Sequence, residues 1–308
     1  IDREDRESPP TIAGLGGFYT DNHSWALAAA FRTYLDHDRW RVMAVGATSD
    51  LHYDFFGVGS GAGNAGVSVP LSQRVDALGV ELLRRVRPSL FAGLRYTTAR
   101  SVIRVESDNP EVPVPENDLR ETSGALGVRI QGDSRDSTFY PSRGFFADLK
   151  ADFDDPAFGA TRTYQSYTVA GNLYTSLAKR SVLALRLSGC SAQGDVPLYA
   201  LCLFGARNDL RGYDIGRYRD HAMFATQAEF RVSPPERSGI LGRIGFVAFA
   251  GVGEVAPSFS GLGSDTLLPS AGGGVRILVA RENRINFRID YAWGKAGGGL
   301  YLGLGEAF

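Results

Sequence analysis

Along most of this 308-residue chain, apolar and polar residues alternate with a period of two. Between Ile285 and Trp293 the odd positions Ile285, Phe287, Ile289, Tyr291 and Trp293 are large and apolar, while the even ones include Asn286, Arg288 and Asp290. Phe145, Ala147, Leu149, Ala151 and Phe153 alternate with Phe146, Asp148, Lys150, Asp152 and Asp154. Leu126, Val128 and Ile130 alternate with Gly127, Arg129 and Gln131, and Leu183, Leu185 and Leu187 with Ala184, Arg186 and Ser188. Phe224, Ala228, Phe230 and Val232 stand against Gln227, Glu229 and Arg231. Successive side chains of a strand point to opposite faces, so each segment has one apolar face and one polar or charged face. A helix would scatter these stripes around its axis. The pattern predicts an all-β chain of fourteen strands, near 11–20, 24–35, 40–50, 67–86, 89–105, 121–132, 144–154, 161–177, 181–190, 221–233, 241–253, 271–281, 284–294 and 299–307.

Two kinds of connection largely alternate between these strands. Asp36-His37-Asp38-Arg39, Val86-Arg87-Pro88, Lys179-Arg180 and Arg281-Glu282-Asn283 are short, whereas 51–66, 106–120, 191–220 and 254–270 are long. Short turns at one end, long loops at the other and strands of ten or more residues suit a closed antiparallel transmembrane β-barrel. Strands of soluble sheets average ~5–6 residues, which counts against one large sandwich or two tandem ones. Full charges on the polar face suit a water-filled lumen, since a packed core would penalise them. Closure follows, because an open sheet edge in lipid leaves backbone groups unsatisfied.

Composition narrows the classes further. No run of ~18 strongly apolar residues exists, so helical membrane spans are excluded; the longest uncharged stretch, Phe55 to Gln73, is interrupted by glycines, serines and Pro70. The 38 glycines argue against long helices, where each interior glycine costs ~1 kcal/mol relative to alanine. With 33 Lys and Arg against 34 Asp and Glu, no dominant basic face for nucleic acid is expected. Residues 1–10 read as a polar tail and 11–308 as one outer-membrane β-barrel domain.

Enzymatic readings fail on the residues. Gly61-Ala62-Gly63-Asn64-Ala65-Gly66 has dinucleotide-type glycine spacing, but no helix is expected after it, so a flexible loop is the expectation. No serine has glycines two before and two after, which removes the hydrolase nucleophile elbow. His23, His37, His52 and His221 are scattered without metal-ligand spacing, and lumen carboxylates such as Asp148, Asp152 and Asp290 belong to any polar barrel interior. No catalytic set, metal or cofactor is expected. Cys190 and Cys202 flank the start of the long connection 191–220 and would clasp it if oxidised, an outcome the sequence leaves open.

That connection contains Leu210-Arg211-Gly212-Tyr213 among further Arg, Tyr and Gly residues, the composition of a packed loop with turns. These four residues resemble the loop signature of the bacterial surface antigen family of outer-membrane barrels. Three further stretches match in the same order. Gly132 to Gly144 resembles the family's turn between two central strands, Tyr53-Asp54-Phe55-Phe56-Gly57-Val58-Gly59 its aromatic-glycine segment, and the chain ends in Phe308 as such barrels do. More loosely, the layout is similar to the barrel half of patatin-like secreted phospholipases. The resemblance implies a sixteen-strand norm against the fourteen counted here. It also implies a bacterial outer-membrane location, membrane lipid and client or passenger polypeptides as partners, and a loop folded into the lumen with its arginine facing acids on the next two strands.

The sequence departs from the family where the second of those acids belongs, because Gly251 occupies the position. Glu229 remains as the lumen partner expected for Arg211, the alternative being a solvated arginine in a wet lumen. In the closing strand Leu300, Leu302, Leu304 and Phe308 keep the alternation and Glu306 breaks it. Gly299, Gly303 and Gly305 weaken that strand, which points to a poorly zipped seam open to edge addition. The resemblance implies assembly or translocation of other proteins, and the weak seam fits it, so the expected function is protein insertion or export through a seam and a loop-gated lumen, with a passive pore for an attached passenger as the alternative. The sequence does not fix the oligomeric state.

Overall fold

A computed structural model describes residues 11–107, 119–205, 209–234, 239–263, 266–281, 284–295 and 297–308. The expected tail over 1–10, and Glu282 and Asn283 of the last short turn, lie outside the described residues.

The strands are β1 (Ile12–Tyr19), β2 (Trp25–Leu35), β3 (Trp40–Phe55), β4 (Val69–Arg87), β5 (Leu90–Val105), β6 (Arg120–Asp133), β7 (Gly144–Asp154), β8 (Tyr164–Ala178) and β9 (Ser181–Gly194). After them come β10 (Cys202–Leu203), β11 (Arg219–Asp220), β12 (Ala222–Val232), β13 (Ile244–Ala256), β14 (Leu268–Ala280), β15 (Ile285–Gly294) and β16 (Gly297–Leu304). Fourteen of them form one antiparallel sheet in sequence order, with β9 pairing directly to β12; β10 and β11 pair only with each other, inside the connection between those two strands. The alternating stripes thus lie where the period-two reading places them.

Sidedness is the reverse of a soluble domain. On β6, Leu126, Val128 and Ile130 are exposed while Arg129 and Gln131 between them are buried; on β15, Tyr291 and Trp293 are exposed and Asp290 is fully buried. Apolar side chains cover the outside and charges point inward, against the usual preference of each residue type in water. The sheet curls around residues 195–205 and 209–221 of the connection between β9 and β12. Leu198 and Leu201 of that loop pack with Phe55, Val69, Leu71 and Ile103 of β3, β4 and β5, whereas Gly212 hydrogen-bonds to Tyr301 of β16.

Four expectations change. First, no ladder joins β1 to β16 among the described residues, so closure does not take the form of strand pairing here. These edge strands, eight residues each, are the shortest of the fourteen, and both are rich in glycine, which weakens strand order. Second, the closing strand stops at Leu304: Gly305 adopts φ 80°, a turn geometry that breaks the alternation. Phe308 consequently turns inward and packs with Tyr174, Ala184 and Ala307, so it does not continue the apolar outer stripe. Third, residues 60–65 are not a flexible loop. They form a short helix, α1 (Ser60–Ala65), whose Gly63 lies so close to Tyr218 that a Cβ there would stand 2.5 Å from the ring. Fourth, much of the charged lumen wall is dry. Glu229 and Asp290 have no exposed surface because the loop packs over them.

Candidate functional site

The loop between Gly194 and Ala222 is built as a plug. Its base is fixed to the wall by a Cys190–Cys202 disulfide, with Cα atoms 5.7 Å apart, and by the β10–β11 pairing of Cys202 with Asp220 and Leu203 with Arg219. Its centre is an aromatic cluster: Phe204, Tyr213 and Tyr218 meet edge-to-face with centroids 5.3–6.2 Å apart, a favoured arrangement of aromatic quadrupoles. Arg219 lies 4.9 Å from the Phe55 ring centroid, and Gly59 donates a backbone hydrogen bond to its carbonyl (2.8 Å), which ties the plug to the β3–α1 connection.

The four signature residues make the tightest contacts. Leu210 is buried beside Gly251, where any Cβ would fall 2.5 Å from the Leu210 Cδ1. The position that lacks the family's acid is therefore filled by the loop's own leucine. Gly212 has φ 105° and sits against β15 so closely that a Cβ would be 2.8 Å from the Trp293 carbonyl carbon. A side chain is excluded there by both conformation and space. The Gly212 N–H donates to Tyr301 Oη at 2.7 Å, and Tyr213 Oη donates to the Pro269 carbonyl at 2.5 Å while accepting from the Lys295 N–H at 3.1 Å.

Arg211 is buried and satisfied on every side. Its Nη1 donates to Asp290 Oδ2 at 2.5 Å, its Nε and Nη2 to Gln227 Oε1 at 3.0 and 2.6 Å, and its Nη2 also to Glu229. Its backbone carbonyl accepts from the Ser270 hydroxyl, and the guanidinium stacks 3.4 Å from the Phe249 ring centroid. The sequence-expected contact with Glu229 is present in the geometry, and Asp290 on β15 supplies the second carboxylate that position 251 lacks.

The cluster extends beyond the loop. Arg231 Nε donates to Glu229 Oε1 at 2.7 Å, Arg276 Nη1 to Asp290 Oδ1 at 2.5 Å, and Arg276 Nε to Glu306 Oε2 at 2.6 Å. Asn286 donates to Glu306 at 2.8 Å, and Arg231 Nη2 donates to the Phe308 main-chain oxygen at 2.7 Å. Three guanidinium groups (Arg211, Arg231, Arg276) thus share three carboxylates (Glu229, Asp290, Glu306) within one buried unit, and a fourth guanidinium, Arg288, stands 3.9 Å from Asp290. Charge-assisted bonds of this kind are strong and directional, and removing one member strands another buried charge.

The pattern of alternation already placed Gln227, Glu229, Arg231 and Asp290 on the polar face, but it did not show that they converge. Arg276 and Glu306 were missed: β14 is glycine-rich with few alternating pairs, and Glu306 read as a fault in the closing strand. The strand glycines are placed simply. Gly299 faces Ala292 of β15, and Gly303 leaves room for Arg288, whose Nη2 would be 3.0 Å from a Cβ there. The cluster holds no nucleophile paired with a base; its chemistry is that of a latch, fixing a loop to the wall by multiple ionic contacts.

A family model for the Omp85 superfamily domain matches residues 17–308. Among solved structures, the chain is similar to BamA from Haemophilus ducreyi lacking POTRA domains 1-3, with 14% identity and a TM-score of 0.66 over 96% of this chain and 63% of that one. It is also similar to CdiB from Acinetobacter baumannii (13% identity, TM-score 0.61, 96% of this chain and 53% of that one). A third likeness is to CdiB from Escherichia coli (11% identity, TM-score 0.58, 96% and 59%). At these identities the likeness is one of fold, and this chain spans less than two thirds of each of those chains. No curated protein matches it in sequence. The family match covers nearly the whole sheet and the loop with its Leu210 to Tyr213 signature; this chain belongs to the Omp85 superfamily and is a bacterial outer-membrane β-barrel protein.

Proposed function

We propose that residues 11–308 act as the barrel of a protein assembly or translocation factor, which inserts or exports client polypeptides through the seam between β1 and β16 with the lumen gated by the 195–221 plug. The observation that carries this reading is the pair of short, glycine-rich edge strands without a ladder between them. Each edge presents backbone donors and acceptors that an incoming strand satisfies by edge addition. The apolar outer face would meet membrane lipid. The buried latch around Arg211 holds the plug, so loop movement requires breaking several charged contacts together. The named likenesses, a BamA and two CdiB barrels, are compatible with either insertion or secretion.

The test is a covalent seam. Cysteine pairs scanned between β16 and β1 should, once oxidised, abolish client insertion or export while the barrel stays folded by heat-modified gel mobility. Unchanged activity in a fully crosslinked protein removes the seam from the mechanism. A passive conduit for an attached passenger is the second reading, favoured by a 380 Å³ polar lumen cavity lined by Arg95, Asp148, Lys150, Asp152 and Arg186 beside the plug. Deleting residues 205–219 separates the two: a conduit gains conductance and keeps export, whereas a gated factor loses export.

A further inference from the structure

The two ends of the sheet line the lumen differently. On β12, β14 and β15 the inward positions carry Glu229, Arg231, Arg276 and Asp290. At the β1 edge the central inward positions are apolar instead: Gly16 and Phe18 of β1, Ala28 and Ala30 of β2, and Val45 and Ala47 of β3, joined by the pairings Gly16↔Ala28, Ala30↔Val45 and Ala28↔Ala47; Arg32 of β2, paired with Met43, bounds this apolar stretch at one end and Ser49 of β3 at the other. The outward neighbours on the same strands, Leu15, Leu27 and Phe31, are apolar as well. β1, and β2 from Trp25 to Phe31, are thus apolar on both faces, the pattern of a strand with apolar surroundings on both sides. Phe18 is 53% exposed, and Ala28, Ala30 and Ala47 are exposed too, so no part of the described chain covers this inward face. Across the gap, β16 turns Gly297, Gly299, Tyr301 and Gly303 inward.

We infer that the inward face of β1 to β3 is a lipid-binding face, occupied by phospholipid acyl chains that pass from the bilayer through the gap between β1 and β16. The occupant follows from continuity. The outer surface of β1 is the apolar surface of a membrane barrel, and a strand is only ~5 Å wide, so the apolar outside runs round the free edge onto the apolar inside without crossing a charge. An acyl chain leaving the bilayer there keeps apolar contact throughout, whereas water would wet Phe18 and three exposed alanines. This inference rests on the proposed unpaired seam.

The test uses the whole chain in phosphatidylcholine nanodiscs, with one cysteine at a time introduced by Ala28→Cys, Ala30→Cys, Ala29→Cys (outward) or Ser166→Cys (lining the polar lumen cavity). The native cysteines are bonded to each other and stay unlabelled without reductant. Each site carries a nitroxide, and its collision rates with oxygen and with a water-soluble nickel chelate are compared. The expected result is that positions 28 and 30 behave like position 29, with oxygen collisions exceeding nickel collisions several-fold, and that position 166 shows the reverse. If positions 28 and 30 behave like 166, the face is wet and the inference is overturned. Protection from both probes that appears only with an added client polypeptide, or only at high protein concentration, assigns the face to a protein partner or a second copy and overturns it equally. A crosslinked seam keeps the readings distinguishable. Water at 28 and 30 together with seam-dependent export defeats this inference alone, while lipid at 28 and 30 with seam-independent export defeats only the proposed function.

Discussion

The half of the lumen wall made by β12 to β16 and the half made by β1 to β4 use opposite devices. In the first, guanidinium groups and carboxylates are packed dry beneath a loop, with Arg211, Arg231 and Arg276 each hydrogen-bonded to carboxylates. In the second, small apolar side chains of β1 and β2 face an open space, while Phe55, Val69 and Leu71 of β3 and β4 pack against Leu198 and Leu201 of the plug. The first half owes its order to interactions that are expensive to break singly, whereas β1 and β2 at the edge of the second rely mainly on their backbone ladder. The wall thus has a rigid side that holds the plug and, at β1 and β2, an edge whose side chains have few partners.

This contrast can be attacked by substitution. The largest effect is expected from Glu229→Leu, which leaves Arg211 and Arg231 facing each other without their shared carboxylate. A loss of ~3–5 kcal/mol is expected in denaturant unfolding of the refolded barrel, against a small fraction of that for Val45→Ala on the opposite wall. Equal losses would erase the distinction. Next, Ala28→Lys should cost ~2–4 kcal/mol if that inward face is as dry as the outside, and nearly nothing if it is bathed in water. Gly212→Ala, forced into φ 105° against the Trp293 backbone, should cost ~1–3 kcal/mol. It should also free the plug, seen as raised single-channel conductance in a planar bilayer.

The smallest effect lies at the short turn between β2 and β3. Burial on its own would push the Asp38 carboxyl up, but Arg41 and Arg85, at 2.8–2.9 Å, outweigh it and hold the group below its ordinary value of 3.8. A lowered folded-state pKa contributes stability above the unfolded value and loses it as pH falls through the folded one. Asp38→Asn should therefore cost about 1 kcal/mol or less at neutral pH. Parent and variant should converge as the pH drops below 3.8. A difference that persisted in acid would show that the turn is held by something other than this ion pair.

Much of this was legible in the sequence. Period two marks the strands because a strand sends neighbouring side chains to opposite faces, whatever the rest of the chain does. The Arg211–Glu229 contact was legible because the loop signature and the inward register of Glu229 are both local facts. The roles of Asp290, Arg276 and Glu306 were not, since strands adjacent in the sheet must first curl to bring them to one point. Gly251 read as a missing acid, yet the space it leaves belongs to Leu210. Phe308 read as the last outward residue because alternation cannot see a turn that φ at Gly305 decides.

The alternation by itself determined that this chain is a sheet with an apolar face and a charged face, and the turn and loop lengths determined which strands are neighbours. These follow from backbone geometry over a few residues. Only the tertiary structure decided which charges are dry, which carboxylate completes the latch and where the two edges fail to meet. Those outcomes depend on how the curled sheet and its plug divide the lumen, a property of distances between residues far apart in the chain.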